Sequence, residues 1–247
     1  MKTNSLIEQK NNVVKNIKKY FNDNKIKNAI IGISGGIDSA VGVNILIEAL
    51  STTRVKPYFI DIDSNKQDYE HAKKLCESLK IKLEYINLTK TFKKMAKAFN
   101  EQEQLGLANL KSRLRAIFLY DKAFQHQGIV CANSNLDELY VGYFTKYGDS
   151  ACDIFILNNF IKRDIRELAK HYHVIEEIIN KAPSAGLYKG QTDEQEMGIT
   201  YEEIDNYLMN KKINAKSKEK IEMLHNKNKH KLSYNYSINT WNKYKKI

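Results

Sequence analysis

A short apolar run, Asn28-Ala-Ile-Ile-Gly-Ile-Ser34, stops at the pair Gly35-Gly36, and a helical pattern led by Asp38 follows at once. Few folds accommodate that order. An apolar run of this length bounded by glycines reads as a buried strand entering a tight turn. Val41, Ile45 and Leu46, at helical spacing after Asp38, read as a helix whose N-terminus faces the glycines. The alternation continues with strand-like Val55 to Ile60, helical Gln67 to Leu79, strand-like Lys82 to Leu88, a helical pair over about 90–125, and strand-like Gly128 to Ala132. Strands separated by helical segments predict βαβ units on a parallel sheet. Upstream, Leu6, Val13, Val14, Ile17 and Tyr20 predict an amphipathic helix over residues 5–21.

Beyond Ala132 the pattern changes. Residues 133–160 mix Gly, Asn, Asp and aromatics as a functional loop region does, with Glu138 early in a short helix. Helical periodicity returns from Lys162 to Tyr172 and from Ile175 to Asn180, and Pro183-Ser-Ala-Gly186 breaks it. Residues 183–200, with three glycines and a polar centre, read as a mobile loop; Tyr201 to Met209 and Lys216 to His225 read as helices. No repeat or linker divides the chain, so 1–247 is expected to be one domain. Its parts are the helix 5–21, a nucleotide-binding core 28–180, the loop 183–200 and a helical, basic arm 201–247.

The formal charge of +11 suggests nucleic acid until its distribution is read. Eleven lysines against Glu219 and Glu222 put +9 into residues 211–247, leaving +2 for the rest. The basicity is therefore local, either an anion-binding arm or a solvated tail. Cys76, Cys131 and Cys152 form neither an even set nor a CxxC pair, as reduced core thiols would not. No apolar run approaches the roughly 20 residues of a membrane span. Met1 to Lys10 carries charges and amides where a signal peptide is apolar, so the expected compartment is cytoplasmic.

Chemistry is concentrated in Gly32-Ile33-Ser34-Gly35-Gly36-Ile37-Asp38-Ser39. The glycines let backbone N–H groups approach an anion, and the following helix offers its positive end. The segment has neither the GxxxxGK[ST] of a Walker loop nor GxGxxG. A carboxylate beside a phosphate cradle repels the ligand unless a cation bridges the two, so Asp38 predicts Mg²⁺. His171 and His173, two apart on a helix, do not share a face, which argues against zinc.

The SGGxDS string resembles the pyrophosphate loop of the N-type ATP pyrophosphatases, whose fold is a doubly wound parallel α/β sheet of the adenine nucleotide alpha hydrolase type. Downstream, Glu138-Leu-Tyr-Val-Gly-Tyr-Phe-Thr-Lys-Tyr-Gly-Asp149, Lys162, Lys181-Ala-Pro-Ser-Ala, Gln191-Thr-Asp-Glu194, Met197-Gly-Ile-Thr-Tyr201 and Asn109-Leu-Lys-Ser-Arg-Leu-Arg115 resemble the ammonia-dependent NAD synthetases over residues 5–231. The resemblance implies that Gly32 to Ser39 hold the ATP phosphates with Asn133, Lys162 and Ser184. It implies that Asp38 and Glu138 ligate Mg²⁺, that Asp38, Glu138 and Lys162 carry catalysis, and that Arg113, Lys146, Asp153, His230 and Lys231 bind deamido-NAD. The chain departs from the family's pattern at Asn133 and Ser184, each in place of threonine, at Gly186 in place of aspartate, and at Ser150-Ala151 in place of Gly-Gly. The family's proline after Lys231 is also absent.

The implied reaction joins ammonia to the carboxylate of deamido-NAD. ATP first adenylates that carboxylate with loss of pyrophosphate; ammonia then displaces AMP, giving NAD. Asp149, acidic in a glycine-flanked loop, is the candidate base for ammonium. Free ammonia is the expected nitrogen source because the length leaves no room for an amidohydrolase domain. A homodimer through the N-terminal helix and the 90–125 helices is implied, without membrane or nucleic acid. The alternative is a tRNA-modifying pyrophosphatase that adenylates an RNA base; a third reading is an ATP-binding sensor on the same fold.

Overall fold

The computed structural model describes residues 3–183 and 192–232. Five parallel strands form a sheet of order β3-β2-β1-β4-β5. Strand β1 (Asn28–Gly32) lies between β2 (Val55–Asp61) and β4 (Gly128–Ala132), so that Ala29 faces both Val55 and Ile129. Strand β3 (Glu84–Asn87) extends one side, and β5 (Ile154–Phe155) the other.

Alternate side chains of each strand enter different cores, because successive residues point to opposite faces. Ala29 and Ile31 of β1 and Phe59 of β2 pack with α1 (Thr3–Asp23), α2 (Ile37–Leu50), α3 (Lys66–Ser78), α7 (Lys162–His171) and α8 (Glu176–Ile179). Ile30, Tyr58, Ile60 and Val130 face α4 (Thr89–Ala98) and α5 (Gln104–Gln125) through Phe92, Leu114 and Ala123. Helix α2 is buried on nearly all sides because the sheet, α1 and α7 enclose it, which explains why its sequence is apolar almost throughout. A third core joins α6 (Leu136–Val141) to α9 (Asp193–Met197), α10 (Tyr201–Leu208) and α11 (Ala215–Asn228) through Val141, Met197, Ile199, Tyr201, Ile204 and Ile221. No helix among the described residues is long and apolar enough to cross a membrane.

The expected elements stand within two residues of their expected ends, apart from α11, which runs three residues further. Two findings differ from the sequence reading. The region 133–160 contributes the fifth strand, a two-residue edge that exists only by pairing with β4. The span 183–200 contains helix α9, and residues 184–191 of it, Ser184 and Gly186 included, lie outside the described residues, as does everything past 232. All three cysteines are free thiols: Cys76 and Cys131 are buried and Cys152 is half-buried.

The chain runs outward from β1 to β2 and β3, then returns to place β4 on the other side of β1. That reversal, between β1 and β4, is the place where an open α/β sheet offers a ligand site at the carboxyl ends of its strands. The glycine loop and the segment beginning at Asn133 meet there.

Candidate active site

Gly35 turns the loop after β1 with φ +73°, and Gly36 enters α2 in extended conformation with no side-chain cap on its first amides. Those uncapped N–H groups and the helix dipole suit an anion. The Ser39 hydroxyl donates to the Gly36 carbonyl (2.9 Å) and accepts from Ser34 N–H (3.2 Å), so it staples the loop from inside. Ile33 and Ile37 are buried, which leaves only their main chains for a ligand. Asn133 lies beneath the loop, its Nδ2 3.4 Å from the Gly32 carbonyl and its Oδ1 without a partner among the described residues. That oxygen also crowds Gly42: a Cβ there would sit 1.9 Å away.

Asp38, Glu138 and Lys162, 124 residues apart at the extremes, converge above this loop. The Lys162 ammonium is 2.6 Å from Asp38 Oδ2 and 3.8 Å from Glu138 Oε1, with its side chain 1 % exposed. Asp38 Oδ1 accepts from Asn135 Nδ2 at 2.9 Å. Glu138 is the third residue of α6 and closes a capping box with Asn135, accepting its N–H on Oε2 (3.2 Å). Burial and the neighbouring Asp38 charge push the Glu138 carboxyl up to about 8 although Lys162 opposes the shift. For Lys162, burial disfavours the charge, but Asp38 and Glu138 outweigh it and raise the pKa.

Three side chains that the expected site did not include, Tyr201, Asp193 and Tyr143, complete this group. Tyr201 OH lies 3.2 Å from Glu138 Oε1 and 3.0 Å from Asp193 Oδ2, and Tyr143 OH is 3.2 Å from Asp193 Oδ1. Burial raises the Asp193 pKa as well. Their strings, Gln191-Thr-Asp-Glu194 and Met197-Gly-Ile-Thr-Tyr201, were legible, but nothing in them states that they fold back onto Glu138. A similar pair, Lys181 and Asp68, lies beside the loop at 2.5 Å.

A second cluster gathers four of the five residues expected to hold the dinucleotide. Arg113 Nε donates to the Lys146 carbonyl (3.3 Å), and Lys146 Nζ to the His230 carbonyl (2.9 Å). Lys231 Nζ donates to the carbonyls of Gly142 (2.8 Å) and Phe144 (3.1 Å), and its burial lowers its pKa. Gly142 needs φ +70° here and packs so tightly on Asn228 of α11 that a Cβ would come within 2.2 Å of it. Asp149 accepts from Ser112 Oγ (2.7 Å) and Thr145 N–H (3.0 Å), which fixes it against α5. Asp153 is placed differently: its carboxylate accepts the Val130 N–H at 2.7 Å and continues the β4–β5 ladder.

The NAD synthase family profile matches residues 9–244. An NH3-dependent NAD+ synthetase of Finegoldia magna is 41 % identical over 88 % of this chain and 90 % of its own length. Among solved structures, an NMN synthetase from Francisella tularensis superposes with a TM-score of 0.89 at 35 % identity, covering 95 % of this chain and 98 % of its own. An NH3-dependent NAD synthetase from Campylobacter jejuni gives 0.79 at 25 % identity, covering 94 % and 98 %.

Proposed function

The chain belongs to the NAD synthase family, and from that premise we propose that its two clusters are the two halves of one amide-forming active site, phosphates on one side and the acceptor on the other. The enzyme is an ammonia-dependent NAD synthetase, a ligase that amidates deamido-NAD with ATP as co-substrate. What carries the residue assignment is the buried Lys162 ammonium held between Asp38 and Glu138 above the glycine loop.

A carboxylate is a poor electrophile and an oxide a poor leaving group, so the acceptor must be activated. The loop amides of Gly32 to Ser39 and the Lys162 ammonium bind the triphosphate and balance the charge that develops as pyrophosphate leaves. The family resemblance assigns a phosphate contact to Ser184 as well, a residue that lies outside the described stretches. Asp38 and Glu138 fit Mg²⁺ by the chemistry of their donors: hard carboxylate oxygens close together, where burial and then the Asp38 charge push Glu138 up to about 8. Bound there, Mg²⁺ supplies further charge neutralisation at the phosphates. Arg113, Lys146 and the His230-Lys231 pair orient the acceptor, and Asp149 receives the proton of ammonium. Asn133 reaches ATP only by leaving the crowded position beneath the loop. Asp153 contributes to the acceptor side by fixing the β4–β5 edge.

We place the enzyme in the cytoplasm, where ATP is made available, and propose a homodimer. Phe124 is 87 % exposed and Ile117 61 % exposed, with Leu105 and Tyr120 also on the surface of α5. The apolar stripe of α1 is used internally, through Leu6, Ile17 and Phe21.

The superposition with an NMN synthetase favours a second reading, in which the acceptor is the mononucleotide and the product NMN. The test is pyrophosphate release from ATP and Mg²⁺ with ammonium chloride, comparing deamido-NAD with nicotinate mononucleotide and quantifying the amide product. Pyrophosphate and NAD formed together support the main reading. A kcat/KM at least tenfold higher for the mononucleotide replaces it with the second. Silence with both, from folded protein that binds ATP, overturns both and turns attention to RNA acceptors.

A further inference from the structure

The Met197-Gly-Ile-Thr-Tyr201 string has no part in the chemistry above, yet its tyrosine is fully buried at the centre of the charged group. Tyr201 opens α10, where Thr200 and Glu203 form a capping box that fixes the first turn. Below it, Ile204 and Ile221 fill the third core. The ring therefore has no freedom to choose its neighbours.

Those neighbours are three of the charged side chains. The hydroxyl spans Glu138 Oε1 (3.2 Å) and Asp193 Oδ2 (3.0 Å), and the ring lies under the Lys162 ammonium, 4.6 Å from the ring centroid. A phenol has one proton to donate, so its bond to Glu138 is in balance with its bond to Asp193. Glu138 is thereby held at both oxygens, by Asn135 N–H on Oε2 and by Tyr201 on Oε1. Lys162 is held differently on its two sides: Asp38 uses an N–H donor, whereas the ring face attracts the charge without consuming one. An ammonium in that position can turn its N–H groups from Asp38 to a phosphate and keep its place over the ring.

We propose that Tyr201 is a positioning residue for the reaction: its hydroxyl, balanced by Asp193, aims Glu138, and its ring seats the Lys162 ammonium over the phosphate loop. The proposal rests on the synthetase reading of this site. Helix α6 carries Glu138, α7 carries Lys162, and α10 brings a side chain that touches both. The C-terminal helices thus take part in phosphate chemistry through a residue that acts on Glu138 and Lys162.

Tyr201→Phe removes the hydroxyl and keeps ring and packing; Tyr201→Leu removes both. Tyr201→Phe should lower kcat by about tenfold, the loss of one buried hydrogen bond to a charged partner, with KM for the acceptor within twofold. Tyr201→Leu should also weaken equilibrium binding of a non-cleavable ATP analogue, measured with and without Mg²⁺, whereas Tyr201→Phe should bind the analogue without Mg²⁺ as the parent does. Asp193→Asn, which keeps an acceptor oxygen for the hydroxyl, should retain more activity than Asp193→Ala. The proposal is overturned if Tyr201→Phe matches the parent in kcat, or if both Tyr201 variants lose activity only in step with their melting temperatures. A parent enzyme that is silent with both acceptors overturns the underlying reading instead, so the two failures are distinguishable.

Discussion

The main-chain carbonyl of Asp68 occupies the space that a side chain on Gly35 would need: a Cβ built on Gly35 would stand 2.2 Å from that oxygen. Gly35 also has φ +73°, a conformation that L side chains rarely adopt. The first turn of α3 is therefore the wall against which the phosphate loop is folded. Both parties at the contact are backbone, so neither can move aside alone.

Gly35→Ala should for this reason distort the loop while leaving the sheet intact. We expect ATP affinity to fall by at least about tenfold, from strain of about 1 kcal/mol or more at positive φ plus the displacement of α3. Circular dichroism should be unchanged and KM for ATP raised. An alanine variant with parental KM would show that the loop does not depend on this contact.

Asp68 has a second role through its side chain, which pairs with Lys181 at 2.5 Å. Lys181 stands just ahead of Pro183, so the pair ties the end of that described stretch to the wall of the loop. Lys181→Ala and Asp68→Ala should each raise KM for ATP a few-fold, and a double-mutant cycle should give a coupling of about 0.5–1 kcal/mol. Exchanging the charges, Asp68→Lys with Lys181→Asp, should recover part of the loss. Additive single effects would deny the coupling.

Asp137 and Asp205 are both fully buried and accept the first two amides of α7, Lys162 N–H at 2.8 Å and Arg163 N–H at 3.2 Å. Burial, with the facing Asp205, pushes Asp137 up to about 8, and burial raises Asp205 as well. The folded pair keeps a proton that the unfolded chain releases above its ordinary carboxylate pKa. Its stabilisation is complete below about 4 and is lost as pH rises through about 8. Urea unfolding between pH 6 and 9 should show stability falling towards pH 8 and levelling above it, with a slope of no more than about 1.4 kcal/mol per pH unit from this pair. Asp205→Asn, whose amide donates without a titrating proton, should flatten that slope; an unchanged slope would place its origin elsewhere.

Phe124 and Ile117 expose more apolar surface than a free helix face would be expected to carry. If α5 meets its copy in a two-fold partner, Phe124→Glu should halve the mass seen by light scattering at micromolar concentration. Retention of the parental mass would move the interface off α5.

Most of the architecture and the kind of ligand can be read from local patterns in the chain. Apolar runs with period two or a full apolar content, helices with apolar stripes, and glycines at a strand end are local signals, and they located β1 to β4, α1 to α5 and the phosphate loop. Arg113, Lys146, His230 and Lys231 were legible only as matches to a family pattern, and the structure gathers them in one place. The remainder depends on contacts across long stretches of chain. Strand β5 has two residues and exists by pairing with β4, and Asp153 serves that pairing. Tyr201 and Asp193 look in sequence like a helix start and a polar loop, and acquire meaning only where the third core carries them onto Glu138 and Lys162. Local propensity reports how a residue's own backbone folds, whereas the charge and hydrogen-bond state of a buried side chain are set by partners that only packing supplies.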